Sequence, residues 1–322
     1  MKEIIDFGVR LDKKMKRLRT AAINKKSRKA ILDSVPLWKS RGLSPCRIIR
    51  ILDFLMIYAR FYGGDITHPR EKRLISAIGD LEGSRYTPET KESLKSSVKE
   101  FYRYCGSPRQ LDLIHKYVRS HRIPSGLTPS DLISHKEFNM IINNVYDVQE
   151  RAFYEVLRFT GFRFGEARSI KKRDIRLSVV ETGGSSRNVT LVSCTESKTR
   201  VRTVPVLEIM PALMRVCEDT DEDDNYIFPQ QANSDYNRRL KRTVKQAGIR
   251  RRIWFHLFRH TRYSELCDRG VPESALKWYF GWCEDTRQAS RYRHLTTGQM
   301  EMQFLLPQLT HSDEFGLHSK VV

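Results

Sequence analysis

The chain has six cysteines but no C-x-x-C pair, no run of 18 or more apolar residues, no glycine-rich nucleotide loop and no H-E-x-x-H helix. Each absence closes a class. Widely spaced cysteines (Cys46, Cys105, Cys194, Cys217, Cys267, Cys283) argue against a disulfide framework and a zinc ribbon and fit reduced thiols. The lack of a long apolar run argues against a spanning helix, and the N-terminus has no basic start followed by an apolar stretch and a cleavage site. A soluble, unsecreted cytoplasmic protein with no membrane partner is the expectation. Acidic residues are also in deficit: 38 Asp plus Glu against 58 Lys plus Arg leave a net charge of +20. So large an excess calls for a polyanionic partner, nucleic acid first.

What is present is enough for two domains. At 322 residues and 39% hydrophobic content the chain can bury a real core. Charge is unevenly shared: residues 1–125 carry a net of +15 and residues 126–322 a net of +5. Residues 10–29, RLDKKMKRLRTAAINKKSRK, hold ten basic residues and one acidic residue, with enough Leu, Met and Ala for a helix. Two readings stay open, a solvated basic helix or a DNA-binding arm using Lys13, Lys14, Lys16, Arg17, Arg19, Lys25, Lys26, Arg28 and Lys29 on phosphates.

The N-terminal part is expected to be all-helical. PCRIIRILDFLMIYAR (45–60) has helical periodicity, and so does PETKESLKSSVKEFYRY (88–104), where Thr87 caps a helix opened by Pro88. RIPSGLTPSDLI (122–133) interrupts the pattern with Pro, Gly and Ser, which puts a linker at about 120–130 and domains at 1–125 and 126–322. The second domain opens with helices to about 174. Three β-branched runs follow, DIRLSVVE (174–181), NVTLVSC (188–194) and RVRTVPV (200–206), separated by GGSSR and ESK. They predict a small antiparallel sheet, after which helices resume to about 305. The fold class is mainly α with a small antiparallel sheet, α+β.

The chemistry concentrates in three places. WFHLFRHTRYSEL (254–266) sets His256, Arg259 and His260 at offsets of three and four, on one helical face. Two histidines at that spacing can bind zinc, but a fixed arginine cation between them opposes it, so no metal site is expected. The acidic run EDTDEDDN (218–225) lacks the central Gly and closing Glu of a calcium loop and reads as an exposed loop. Phosphate fits better, since a guanidinium matches two phosphate oxygens and a neighbouring His can carry a proton. TGFRFGEARSI (160–170) adds Arg163 after a glycine turn and Glu166 one helical turn later, able to orient a cation. TESKTRVRTVPV (195–206) adds Lys198 in the turn between two predicted strands. Each of these alone also fits a surface salt bridge.

Taken in order, the motifs resemble the tyrosine recombinase (phage integrase) family. The matching residues are TGFR with Arg163, ESKTR with Lys198, HLFRH with His256 and Arg259, FGW with Trp282 and YRH with Tyr292. FGWCEDTRQASRYRHL is most similar to archaeal and archaeal-virus members, although it has one more residue than usual before the Tyr. The resemblance spans about residues 130–300, and the helical N-terminal half is similar to the family's core-binding domain. It implies a site-specific recombinase or integrase that cleaves double-stranded DNA attachment sites through a 3′-phosphotyrosine on Tyr292, as a homotetramer on two duplexes, without ATP, metal or other cofactor. It further implies that Arg163 and Arg259 neutralise the phosphate, His256 moves a proton, Lys198 protonates the leaving 5′-oxygen and Trp282 donates to and packs the pocket. Glu166 would hold the geometry, and His260 would support it by packing and hydrogen bonding. A type IB topoisomerase would use nearly the same residues, and a DNA-binding protein without catalysis is the third reading. The tail FLLPQLTHSDEFGLHSKVV suits either exchange between subunits or a disordered end. Tyr279, in LKWYFGW, is the nearest competing tyrosine, and the aromatics around it predict a packed core position.

Overall fold

The computed structural model describes residues 6–121, 127–182, 185–197 and 200–283. The chain divides into two compact units near Pro124 and Ser125. The first is built from helices α1 (Phe7–Arg19), α2 (Lys25–Asp33), α3 (Val35–Ser40), α4 (Pro45–Tyr62), α5 (Glu71–Gly83), α6 (Pro88–Cys105) and α7 (Pro108–Tyr117).

Helix α4 is the axis of this unit. Ser44 caps it, Pro45 fits a first-turn position where no backbone donor is needed, and Gly63 ends it at φ 65°. Its Ile48, Ile51, Leu52, Leu55, Tyr58 and Tyr62 are buried among Leu11 and Leu18 of α1, Ile31 of α2, Trp38 of α3, Leu94 and Val98 of α6 and Ile114 of α7. The basic segment of residues 10–29 is therefore not a free arm. It forms two helices rather than one, because Thr20 closes α1 and Asn24 starts α2 by accepting the backbone N–H groups of Lys26 and Ser27 at 2.9 and 3.3 Å. Leu11, Leu18 and Ile31 lie on the apolar stripe of these helices, and each buried side chain of this kind stabilises by about 1.5–3 kcal/mol. Two of the nine basic residues are engaged internally: Lys14 pairs with Asp53, and Arg28 donates to the Ala21 carbonyl at 3.0 Å. Lys13, Lys16, Arg17, Arg19, Lys25, Lys26 and Lys29 remain exposed.

The second unit holds α8 (His135–Asn143), α9 (Val148–Thr160), α10 (Phe164–Arg168), strands β1 (Ile175–Thr182), β2 (Ser185–Cys194) and β3 (Arg202–Val206), then α11 (Pro211–Glu218), α12 (Asn233–Gln246), α13 (Phe255–Asp268) and α14 (Glu273–Tyr279). The strands form the expected antiparallel sheet in the order β1-β2-β3, with Ile175 opposite Val192 and Val192 opposite Val204. β2 begins three residues before the predicted run, because Ser185, Ser186 and Arg187 extend the pairing with β1. Ile175, Val192, Val204 and Val206 share one face of the pleat and pack on the helices.

Two helices carry that core. α9 contributes Ala152, Phe153, Val156 and Leu157, and Phe153 meets the rings of Phe164, Phe228, Tyr236 and Phe255 at 4.7–5.9 Å between centroids. α13 is buried almost all round, as Leu257, Phe258, Thr261, Tyr263 and Leu266 occupy several of its faces. Charged groups inside this core are paired. Arg158 grips Glu265 with both terminal nitrogens, Arg262 binds Glu208 at 2.7 and 3.0 Å, and Glu155 accepts the first N–H groups of α11 from Ala212 and Leu213. No helix among the described residues is long and apolar enough to cross a membrane.

Candidate active site

The TGFR turn ends α9 and starts α10. Gly161 stands at φ 63°, and a Cβ there would meet the Phe280 ring at 2.6 Å, so only glycine fits. The turn aims Arg163 at Glu166: the Arg163 backbone N–H donates to Glu166 Oε2 at 2.9 Å, and its Nη1 donates to Oε1 at 2.7 Å. Arg163 keeps 31% of its side chain exposed, whereas Glu166 keeps 5%.

Glu166 is the hub. Arg202, on β3 and fully buried, sets Nη2 at 3.0 Å from Oε2 and Nη1 at 3.4 Å from Oε1, and its Nε donates to the Tyr279 carbonyl at 2.8 Å. Arg259 brings Nη1 to 4.0 Å from Glu166 Oε2. Burial by itself would raise the Glu166 carboxyl, but the hydrogen bonds and charge of Arg202, joined by those of Arg163, overcome it and hold the group at about 2.

Arg259 is entirely buried. It donates Nη1 to the Gly161 carbonyl at 2.8 Å and Nη2 to the Phe280 carbonyl at 2.5 Å, and its guanidinium lies 4.8 Å from the Phe280 ring and 5.5 Å from the Trp282 ring. Trp282 is itself buried, stacked on Phe280 and tilted against Tyr263. Gly281, just before it, stands at φ 62°, and a Cβ there would come within 2.7 Å of Arg202 Nη1. His256 and His260 are in contact, ring centroids 5.2 Å apart, as their spacing on α13 requires. His256 reaches the surface and His260 is half-buried. The protein packed around the rest of the His256 ring, then the charges of Arg259 and Arg163, push it down to about 4 against a weaker upward pull from Glu166.

The structure thus brings together Arg163, Glu166, His256, Arg259, His260 and Trp282 at one end of α13. Lys198 and Tyr292 lie outside the described residues. Tyr279 sits in the core as expected, its hydroxyl donating to the Phe159 carbonyl at 2.9 Å while burial raises its pKa. Arg202 escaped sequence reasoning. Its signal lay in the strand alternation: Arg202, Val204 and Val206 all point inward, and a cation on a buried strand face requires an anion.

The depressed Glu166 value makes a stability prediction. Because its carboxyl titrates lower in the folded chain than the ordinary 4.5, the stabilisation is complete above about pH 4.5 and is lost as pH falls towards 2. The gap corresponds to about 3 kcal/mol. Denaturant melts of the wild type and of Glu166→Gln should therefore differ most near pH 6 and converge between pH 4.5 and 2; a difference independent of pH would show that the carboxylate charge is not what Arg202 and Arg163 hold.

Solved structures of known proteins share this fold. A Tn1549 transposon integrase in complex with transposon right-end DNA covers 86% of this chain and 99% of its own, at 18% identity and a TM-score of 0.61. A lambda integrase dimer bound to a COC′ core site covers 82% and 76%, at 16% identity and 0.60. A XerH site-specific recombinase bound to its difH substrate covers 92% and 94%, at 14% identity and 0.58. These likenesses establish the fold. No curated protein shows a significant match. The phage integrase family profile matches residues 132–299, more than half of the chain and the whole stretch that holds the cluster around Glu166. On that match the chain belongs to the phage integrase family, the tyrosine site-specific recombinases.

Proposed function

We propose that the chain is an integrase that cleaves and rejoins double-stranded DNA at attachment sites, with Tyr292 as nucleophile and a 3′-phosphotyrosine as the intermediate. The observation that carries this reading is the convergence of Arg163 and Arg259 on a buried, ionised Glu166, with His256 in their field and Trp282 against Arg259. Arg163 is the guanidinium open to solvent and meets a phosphate from outside, while the buried Arg259 supplies positive charge behind it. A preorganised donor of this kind contributes on the order of 3 kcal/mol to a phosphoryl transition state.

Attack by tyrosine is limited by its proton, since only about one phenol in a thousand is ionised at neutral pH. His256, held neutral by its buried side and its cationic neighbours, can accept that proton. A bound phosphate adds negative charge near the ring and favours the imidazolium that results. Lys198 then protonates the departing 5′-oxygen. Bond energy stays in the protein–DNA ester, so neither ATP nor a metal is required.

In this reading the exposed basic residues of α1 and α2 contact DNA phosphates, and the chain acts as a homotetramer on two duplexes in the cytoplasm of a prokaryotic or archaeal host, integrating viral DNA. A lambda integrase tetramer bound to a Holliday junction, similar in fold at a TM-score of 0.55, supports the assembly. A type IB topoisomerase would relax DNA without joining two duplexes, and a non-catalytic DNA-binding protein would form no covalent adduct.

On a nicked suicide substrate, whose cleaved strand diffuses away, the wild type should give a denaturant-stable protein–DNA band. Tyr292→Phe should bind the same DNA nearly as well and give none, while Tyr279→Phe should still react if it folds. A band from Tyr292→Phe would remove Tyr292 from its role.

The basic face can be tested without disturbing the core. Replacing the exposed Lys13, Lys16, Arg17 and Arg19 by Gln should leave the thermal midpoint unchanged and reduce the slope of log affinity against log salt by about 0.9 for each phosphate no longer neutralised. An unchanged slope would assign this face to something other than DNA.

A further inference from the structure

Arg202 cannot touch a substrate from where it lies, because none of its side chain is exposed. Its donors go to the protein instead. Nε donates to the Tyr279 carbonyl at 2.8 Å, and a Cβ on Gly281 would stand only 2.7 Å from Nη1, so the guanidinium is seated against the end of α14 and the residues after it. Its two terminal nitrogens face Glu166, with Nη2 at 3.0 Å from Oε2 and Nη1 at 3.4 Å from Oε1. Contacts to both oxygens fix the plane of the carboxylate as well as its position, which one contact would not do. The oriented carboxylate then accepts from Arg163, by the backbone N–H at 2.9 Å and by Nη1 at 2.7 Å. Arg163 is long and partly exposed, so without a directing acceptor its guanidinium would be spread over many rotamers.

From this chain of contacts we propose that Arg202 is a positioning residue for the cleavage reaction: it orients the Glu166 carboxylate, and the carboxylate in turn aims the Arg163 guanidinium at the phosphate. This role rests on the reading of Arg163 as the cation that meets the phosphate from outside. The other groups near Glu166 hold it less well. Ser197 Oγ reaches Oε1 at 2.9 Å but brings no charge, and Arg259 stays 4.0 Å from Oε2 while its terminal nitrogens donate to the Gly161 and Phe280 carbonyls. Burial raises the Glu166 carboxyl, and Arg202 is the principal partner that reverses this, so that Arg163 finds a carboxylate rather than a neutral acid. A lysine at this position would supply the charge, but a single ammonium lacks the planar fork that spans two oxygens and the Tyr279 carbonyl together.

Aiming Arg163 differs measurably from general support of the fold, because it matters only while the substrate carries the charge that Arg163 meets. A methylphosphonate at the scissile position replaces one non-bridging oxygen by a methyl group and is neutral, so it asks less of a counter-cation and leaves the bridging oxygens unchanged. Wild type, Arg163→Ala and Arg202→Lys should be compared on nicked suicide duplexes carrying either a phosphodiester or a methylphosphonate there. Arg202→Lys should bind both duplexes as the wild type does and cleave the phosphodiester about tenfold or more slowly, a loss typical of one missing charge-assisted hydrogen bond. On the methylphosphonate it should approach the wild type's own rate for that substrate, and Arg163→Ala should show the same pattern. Adding Arg202→Lys to Arg163→Ala should cost nothing further on the phosphodiester, since no guanidinium is left to aim. Should Arg202→Lys fail to fold, Glu166→Gln, which keeps the acceptor's shape and drops its charge, reads the same link and should give the same pattern. Equal loss on the two duplexes by a folded variant overturns the positioning role, and so do additive losses in the double variant or wild-type cleavage of the phosphodiester by Arg202→Lys. If Arg163→Ala itself is not relieved by the methylphosphonate, the reading of Arg163 fails and the role of Arg202 falls with it.

Discussion

A carboxylate with 5% of its side chain exposed can stay ionised only if cations surround it, and Glu166 meets that condition with three arginines from three parts of the sequence. Arg163 comes from the turn after α9, Arg202 from β3 and Arg259 from α13. Each would be expensive to bury alone, and together with Glu166 they satisfy one another. Further donors of Arg202 and Arg259 reach backbone carbonyls at Gly161, Tyr279 and Phe280, so the charge cluster also decides how the chain turns at those points. The cluster is thereby held from several directions at once, as the proposed phosphate site would require, since fixed charges stabilise a transition state most effectively.

The scaffold behind the cluster repeats the same solution. Arg158 with Glu265 and Arg262 with Glu208 lock α13 to α9 and to the segment after β3, so the helix carrying His256 and Arg259 is held by ion pairs as well as by its buried aromatics. In the N-terminal unit Lys95, with 1% of its side chain exposed, does the equivalent between Glu82 and Glu92. There the surplus charge stays on the surface of α1 and α2, whose apolar stripe belongs to the core.

Much of this was legible in the sequence because it follows from short-range rules. Periodicity located α4, α6 and α13, the alternation of β-branched residues located the three strands, and offsets of three and four put His256, Arg259 and His260 on one helix face. Four features escaped. The break between α1 and α2 depends on Asn24 capping at the end of TAAIN, a short stretch with basic residues on both sides, and the burial of α1 depends on α4, a partner distant in sequence. Arg202 was overlooked because its meaning lies in a carboxylate 36 residues earlier, a pairing that only the fold creates. Arg259 was expected to project with the histidines and is instead sunk against two carbonyls and two aromatic rings, which periodicity alone does not distinguish.

The central claim is that this arrangement serves attack by one tyrosine hydroxyl on a DNA phosphodiester. Its most direct test is mass spectrometry of the trapped protein–DNA adduct after nuclease trimming and proteolysis. The account predicts a nucleotide remnant on the peptide containing Tyr292, joined through the 3′-phosphate and leaving a free 5′-hydroxyl on the released strand. A remnant on any other side chain, or a linkage through a 5′-phosphate, would contradict it.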